Sequence, residues 1–537
     1  MSSHPRARSS RLVLPILLAM ALLAAACGSS SSDADEGGVG GGGGGDGSTL
    51  RMALAATVNA DPDVYFLLEG IMVTNSVYEG LVAHVPGSTD IEGLIAESWE
   101  ISDDGLTYTF TLRDGVTFAD GTPVTSEAVQ ASFERRLAVA QAPSYMLLEV
   151  ASYETPDPAT FVVNLSVPVN NFLYRLASPW GPKVTNPAVI EANAVGDDLA
   201  QDYLLTNSAG TGPYVISEST PDVSTVLTAN ENYWGDAPGY DRVIFNIIPD
   251  ATAQRLQVEA GDLDIVHSIG TEASQAIEEA GELQVVPLAG FNMNFWQINI
   301  TEGPLSDVAV RRALWESLPI ETMVPEVFGD YATVAEQMIP AGRMPEEFAT
   351  LDREFDPDAL TAAVAALPDD LRSMPVVVGS PTIDNGELQR QATVMAQTLE
   401  AAGLTVELIK VTDSQYFSYF GAPEGAPSLL VYVQPDDGAH PDNWFRLFLY
   451  SVGALSYGGI GTPESDALMD EANAVPPNEG IPYDLYSQAS DLLREQVAII
   501  PMADVPTVWI ASPDVTGLAV QLAGSQGLVI PLLEPAS

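Results

Sequence analysis

The first 48 of the 537 residues read as an export signal and a leash, not as part of a hydrophobic core, and that decides where a fold is expected to begin. Residues 28–48 are serine, glycine and a few acids, with an unbroken glycine run at 40–45. Such a segment has too little apolar surface to offset its own chain entropy, so it is expected to behave as a leash. Its 21 residues have a root-mean-square reach of about 25 Å. Ahead of it, His4, Arg6, Arg8 and Arg11 precede an almost wholly apolar run at 12–26. Charge followed by a short apolar run is the order of a secretory signal, and the run is too short and wrongly flanked to span a bilayer.

The run ends Leu23-Ala24-Ala25-Ala26-Cys27-Gly28, the pattern of a bacterial lipobox. Small residues before the cysteine admit a signal peptidase once the thiol carries a diacylglyceryl group. Cys27 is the only cysteine, so no intrachain disulfide competes for it. The expectation is a signal peptide at 1–26, lipidated Cys27 with its linker at 27–47, and an extracytoplasmic protein held at the outer face of the cytoplasmic membrane.

About 490 residues follow, more than one ordinary core accommodates, which predicts two or three domains. Acidic residues number 73 against 20 basic, a net charge of -53. Cleavage before Cys27 removes three arginines and no acid, and so leaves -56. Only Lys183 and Lys410 are lysines. That field excludes a nucleic-acid footprint, which needs basic surface. A solvated acidic surface suited to a salty medium accounts for it.

Strand and helix patterns intermingle. Residues 106–112 alternate apolar and polar as a half-buried strand does. Thr125 is placed to cap a helix running through Arg136, and Ser306 or Asp307 a second carrying Val310, Leu314 and Leu318. Residues 376–378 and 406–411 read as strands around a helix at 388–401, a βαβ unit, and 499–501 and 528–530 as late strands. The fold class is α/β.

Catalytic patterns are thin. Neither lysine sits in a phosphate-binding loop, and no histidine opens a His-Glu-x-x-His zinc motif. No Gly-x-Ser-x-Gly elbow occurs. Asp262-x-Asp264 and His440-x-Asp442 are pairs short enough to arise by chance. No catalytic residue, metal site or cofactor is assigned, and a binding protein is the better reading than an enzyme.

A series of motifs then carries a resemblance. Tyr78-Glu79-Gly80-Leu81, Ala96-Glu97-Ser98-Trp99-Glu100, residues 102–110, Leu112-Arg113-Asp114-Gly115-Val116-Thr117-Phe118 and Asp120-Gly121-Thr122-Pro123 come first. Gly210-Thr211-Gly212-Pro213-Tyr214, Asn232-Tyr233-Trp234, Gly261-Asp262-Leu263-Asp264-Ile265 and Val310-Arg311-Arg312-Ala313-Leu314 follow in order. Together they resemble the family 5 extracellular solute-binding proteins, the oligopeptide, dipeptide and nickel-binding group of ABC importers, over about 50–510. The resemblance implies a bilobal, periplasmic-binding-protein-like clamp of class II with three subdomains and a ligand cleft between lobes. On this chain it implies lobe I at 48–83, 210–290 and 500–537, an inserted subdomain at 84–209, and lobe II at 291–499.

The resemblance also implies site residues and partners. Residues 434–444, Gln-Pro-Asp-Asp-Gly-Ala-His-Pro-Asp-Asn-Trp, align without a gap to the Trp-x-x-Asp-Tyr-Pro-Asp-Pro-Asp-Asn-Phe segment of peptide binders, whose first Asp pairs with a peptide ammonium. Asp437 takes that place, Gln434 replaces the aromatic, and Gly-Ala-His replaces Tyr-Pro-Asp. Ala142-Pro143-Ser144-Tyr145 resembles a loop entering the cleft, so Tyr145 lines the site in this reading. Trp296 in Phe295-Trp296-Gln297-Ile298-Asn299 is placed to stack on ligand. The ordinary alternatives are a turn acid for Asp437, core aromatics for Tyr145 and Trp296, and a structural role for Arg311. The implied ligand is a peptide or similar-sized organic solute, and the implied partners are a permease and ATPase, with the protein acting as a monomer. An oligosaccharide or metal-chelate binder, a sensory lipoprotein and a secreted hydrolase are the other readings.

Overall fold

The computed structural model describes residues 48–64, 68–348, 351, 353–382, 386–420, 425–457, 460–524 and 527–537. Cys27 and the leash lie outside them.

The strand Thr49–Leu54 is apolar at most positions, and such a strand needs neighbours on both sides. It lies inside a seven-stranded sheet, parallel to Arg242–Ile247 and to Ile265–His267. Beyond Arg242–Ile247 the sheet continues through Ser224–Ala229 and Tyr214–Thr220; beyond Ile265–His267 it continues through Thr507–Ala511 to Gln284–Leu288. The start, middle and end of the chain therefore share one core, around Leu50, Met52, Phe245 and Trp509.

A six-stranded sheet is built around Asn292–Ile298, which pairs with Leu429–Pro435 and Ile499–Asp504. Val376–Pro381 and Val406–Val411 pair in parallel, with the helix Glu387–Ala401 between them in sequence, so the βαβ unit is present. Ile499–Asp504 belongs to this sheet, and the chain crosses to the seven-stranded sheet at Val505–Pro506, a few residues beyond the expected boundary at 500.

The third sheet has four antiparallel strands in the order Ala96–Ile101, Thr107–Leu112, Thr160–Leu165, Val150–Asp157. In Thr107–Leu112 the alternating Tyr108, Phe110 and Leu112 are buried. The helix Ser126–Val139 packs Val129 and Phe133 into the same core, and Thr125 Oγ1 caps it by accepting the Ala128 N–H at 3.4 Å. Asp307 caps the helix Val308–Ser317. Arg311 within it is buried and donates to the carbonyls of Gln496, Leu305 and Ser306, a structural role. Residues 528–530 are not a strand. Leu528 makes one isolated bridge to Val520, and Ile530–Leu532 turns as a 3-10 helix, since Pro531 has no N–H to give a ladder.

Candidate functional site

The strand Leu429–Pro435 ends where proline can no longer extend the ladder, and the next residues turn sharply. Asp436 N donates to Phe291 O at 2.9 Å, while Gly524 N donates to Asp436 O at 3.0 Å. His440 then caps the short helix Pro441–Trp444, its Nδ1 accepting the Asp442 N–H at 3.1 Å. That bond leaves the ring proton on Nε2, which lies 2.8 Å from Asn170 Oδ1. Burial holds the imidazole well below its usual range, in keeping with a neutral ring.

A second segment meets this turn from the four-stranded-sheet side. It is the 3-10 turn Ala142–Leu147 and the helix Phe172–Ala177 with its flanking residues. Tyr145 OH donates to Asp437 Oδ2, and Ser178 Oγ to Asp437 O. Asn443 Nδ2 donates to Asp437 Oδ1 at 3.2 Å, and Asn171 Nδ2 donates to Asn443 Oδ1 at 3.0 Å and to Asp442 Oδ2 at 3.1 Å. Gly438 makes room for this, because a Cβ there would stand 2.0 Å from Asn443 Nδ2. Burial and the neighbouring Asp437 carboxylate push the Tyr145 phenol well above its usual range.

The remaining charges are held from the six-stranded-sheet side. Arg446 Nε donates to Asp442 Oδ2 at 2.9 Å, and Tyr486 OH to Asp442 Oδ1 at 3.1 Å. Arg343 and Asp436 are fully buried, with Nη2 and Oδ2 2.6 Å apart, yet off the hydrogen-bonding direction. Arg343 Nη1 donates to His440 O at 2.5 Å, and its guanidinium carbon lies 4.5 Å from the Phe291 ring centre. Burial pushes the Asp436 carboxyl up against the pull of Arg343. No group of metal-ligating side chains occurs among the described residues. The arrangement offers an anionic anchor at the junction of two segments, with hydrogen-bond donors fixing its orientation.

Residues 90–456 match the family described as bacterial extracellular solute-binding proteins, family 5 Middle. The chain belongs to this family. It is similar to the probable D,D-dipeptide-binding periplasmic protein DdpA of Escherichia coli K12, 35% identical over 286 residues, which cover 52% of this chain and 55% of that protein. It is also similar to heme-binding protein A of Haemophilus influenzae, 27% identical over 83% of this chain and 84% of that one. A third relative, the dipeptide-binding protein of E. coli K12, is 24% identical over 83% and 87%. Among solved structures, DppA of Helicobacter pylori in complex with the peptide STSA superposes with a TM-score of 0.78 at 20% identity, covering 91% of this chain and 98% of that one. NikA of Brucella suis in complex with Fe(III)-EDTA gives 0.78 at 21%, covering 91% and 100%. At these identities the structures establish the shared α/β binding-protein fold.

In this family 5 chain, Asp437 and Tyr145 come together and Trp296 does not. Trp296 is fully buried between its cross-strand partners Val431 and Ile500, in the cluster that includes Leu314 and Leu318. Strand alternation is the reason: on Asn292–Ile298 it is Phe295 that faces the other side, 5.4 Å from the Trp444 ring. The expectation that Trp296 stacks on ligand is therefore corrected to a core role. Arg343 and Ser178 carry no motif, and only their meeting with the 436–443 turn identifies them. The Asp442 carboxylate accepts from Asn171, Arg446 and Tyr486, and the Asp264 carboxylate from Arg51 at 2.8 Å.

Proposed function

We propose that this protein is the ligand-capturing component of an ABC importer, taking a peptide or similar-sized organic solute by its amine at Asp437. The observation that supports this reading is the tie of Asp437 to Tyr145 and Asn443, donors from two different segments. An ammonium group replaces the phenol in kind, donating to the same carboxylate with a full charge, and a charge-assisted bond is the stronger of the two. The clamp reading assigns the seven-stranded and six-stranded sheets to the cores of its lobes and the four-stranded sheet to the inserted subdomain. Ligand-driven closure would then present one surface to a permease and its ATPase.

The same reading places lipid on Cys27 and the folded part at the outer face of the cytoplasmic membrane, acting as a monomer. Among the described residues no helix is long and apolar enough to cross a membrane. Metabolic labelling with a radioactive fatty acid should mark the protein and leave Cys27→Ser unlabelled, with that variant released into the medium.

The binding test is titration calorimetry with short peptides and their N-acetylated forms. Free-amine peptides should bind, and acetylation or Asp437→Asn should each weaken binding at least tenfold. Equal binding of both forms would remove Asp437 from the amine's place.

A further inference from the structure

The chain passes from the four-stranded sheet to the six-stranded one only by way of the seven-stranded sheet, so whatever holds the first two together directly is noncovalent. Beyond the Asp437 turn, one such contact centres on the buried Asn170, whose neighbours Val169 and Phe172 belong to the core of the four-stranded sheet. Its backbone N–H donates to Asn473 O at 2.9 Å, and its Nδ2 to Val475 O at 2.9 Å and to Gly480 O at 3.0 Å. Its Oδ1 accepts from His440 Nε2 at 2.8 Å, which fixes the way the amide faces.

The loop that Asn170 grips, residues 473–480, follows the helix Pro463–Asn473 and carries Pro476 and Pro477, whose rings restrict its backbone. The same loop meets the turn between the strands Ala96–Ile101 and Thr107–Leu112. There Asn478 Nδ2 donates to the carbonyls of Ile101 and Ser102, each at 3.2 Å. Gly105 lets the loop come so close, because it holds a φ of +69° and a Cβ there would stand 3.0 Å from Pro477 Cδ.

Both partners of this contact are tied to the Asp437 anchor. On one side, Asn170 lies before and Ser178 after the helix Phe172–Ala177, whose six residues span about 9 Å. Ser178 bonds Asp437 O, and Asn171 bonds Asn443 and Asp442. On the other side, Arg446 donates to Asp442 on the anchor turn, and to Asp470 and Met469 O on the helix that leads into the loop. Moving Tyr145 and Ser178 away from Asp437 therefore pulls Asn170 off the loop. We propose that Asn170 and the 473–480 loop form a clasp that opens and closes as one with the Asp437 anchor, which makes Asn170 a positioning residue that sets how long a captured solute stays. Asn170 acts through the loop and need not touch the solute. The proposal rests on the solute-capturing reading of Asp437 for what the clasp retains, whereas the coupled opening stands without it.

Hydrogen–deuterium exchange of the whole protein without solute tests the coupling. Asn170→Ala should speed exchange at least tenfold in 142–148 and 436–443 as well as in 473–480, and leave the strand Thr49–Leu54 protected. Asn478→Ala changes an exposed residue that folding tolerates, and should do the same to a smaller extent. Faster exchange in 473–480 alone, no change in either variant, or an equal rise in Thr49–Leu54 would overturn the proposal. Retention is read by stopped-flow fluorescence with trialanine as the probe. Asn170→Ala should speed its dissociation at least tenfold and change its association less than twofold; a loss carried by association alone would remove Asn170 from retention. If the unmodified protein does not bind trialanine, the Asp437 reading is what fails, and the exchange experiment still decides the clasp.

Discussion

Two buried ion clusters in this molecule are built from the same residue types and differ in how completely they are bonded. In the first, Arg135 donates to Asp61 at 2.9 and 2.6 Å, to Asp63 at 2.5 Å and to Leu199 O at 3.0 Å. Arg136 beside it donates to Asp63 at 2.9 Å and to the carbonyls of Trp180, Pro62 and Gly181. Every guanidinium nitrogen of both arginines is bonded. In the second, Arg343 Nε and Nη2 and Asp436 Oδ2 lack well-directed partners, and the carboxylate of Asp437 rests on a tyrosine from another segment. The full network fixes the backbone at 61–63 and 180–181; the incomplete one has exchangeable members. A binding site needs the second kind.

That contrast predicts the largest effect for the first cluster. Arg136→Met should cost about 3–5 kcal/mol of stability, because it leaves a buried carboxylate and three carbonyls short of a donor. Arg343→Met should cost less than half as much, since burial pushes the Asp436 carboxyl up and so lessens its need for a cation. Urea denaturation of both variants measures this, and equal losses would break the comparison. Next in size, Asp437→Asn should weaken binding of free-amine peptides by about 1.5–3 kcal/mol while the melting temperature without ligand changes little. A large fall in that melting temperature would instead class Asp437 with the structural acids.

A smaller effect tests the rim of the looser cluster. Asp504 Oδ1 accepts the Ala341 N–H at 2.9 Å, two residues from Arg343, and burial with the charge of Glu336 lifts its carboxyl to about 6. Unfolded, it titrates near 3.8, so between these values the folded state holds a proton that the unfolded state has released. Its contribution therefore favours folding below pH 4 and is lost as pH rises through 6. Asp504→Asn keeps the acceptor for Ala341 and removes the charge. It should gain about 3 kcal/mol at pH 8 and little at pH 4, as read from denaturation curves at the two values. A uniform gain at both would assign the effect to packing.

The parts of the fold governed by local pattern were legible in the sequence. The alternation at 107–112, the Thr125 and Asp307 caps and the βαβ unit over 376–411 each follow from side-chain periodicity or a single capping oxygen. Of the candidate site residues, Asp437 and Tyr145 were singled out by motif, and the structure brings these two together. Trp296 went astray because one step along a strand reverses the face, and a sequence does not say which face is the cleft. Arg343 and Ser178 were invisible for a different reason. They reach the 436–443 turn from about 95 and 260 residues away in the chain, and nothing local marks such a meeting.

The smallest predicted effect is the one that bears most directly on the contrast. Tyr145→Phe removes the phenol that occupies Asp437 and keeps the ring that packs near Ile71, Met146 and Trp180. One hydrogen bond from a partly buried tyrosine is worth about 1 kcal/mol, so stability should fall by no more than that. Ligand no longer has to displace the hydroxyl, and free-amine peptides should bind severalfold more tightly. If the phenol instead contacts bound ligand, the same variant should bind more weakly at unchanged stability. Calorimetry separates the two by sign alone, and a tighter complex is the outcome expected of a tyrosine that holds the amine's place until the amine arrives.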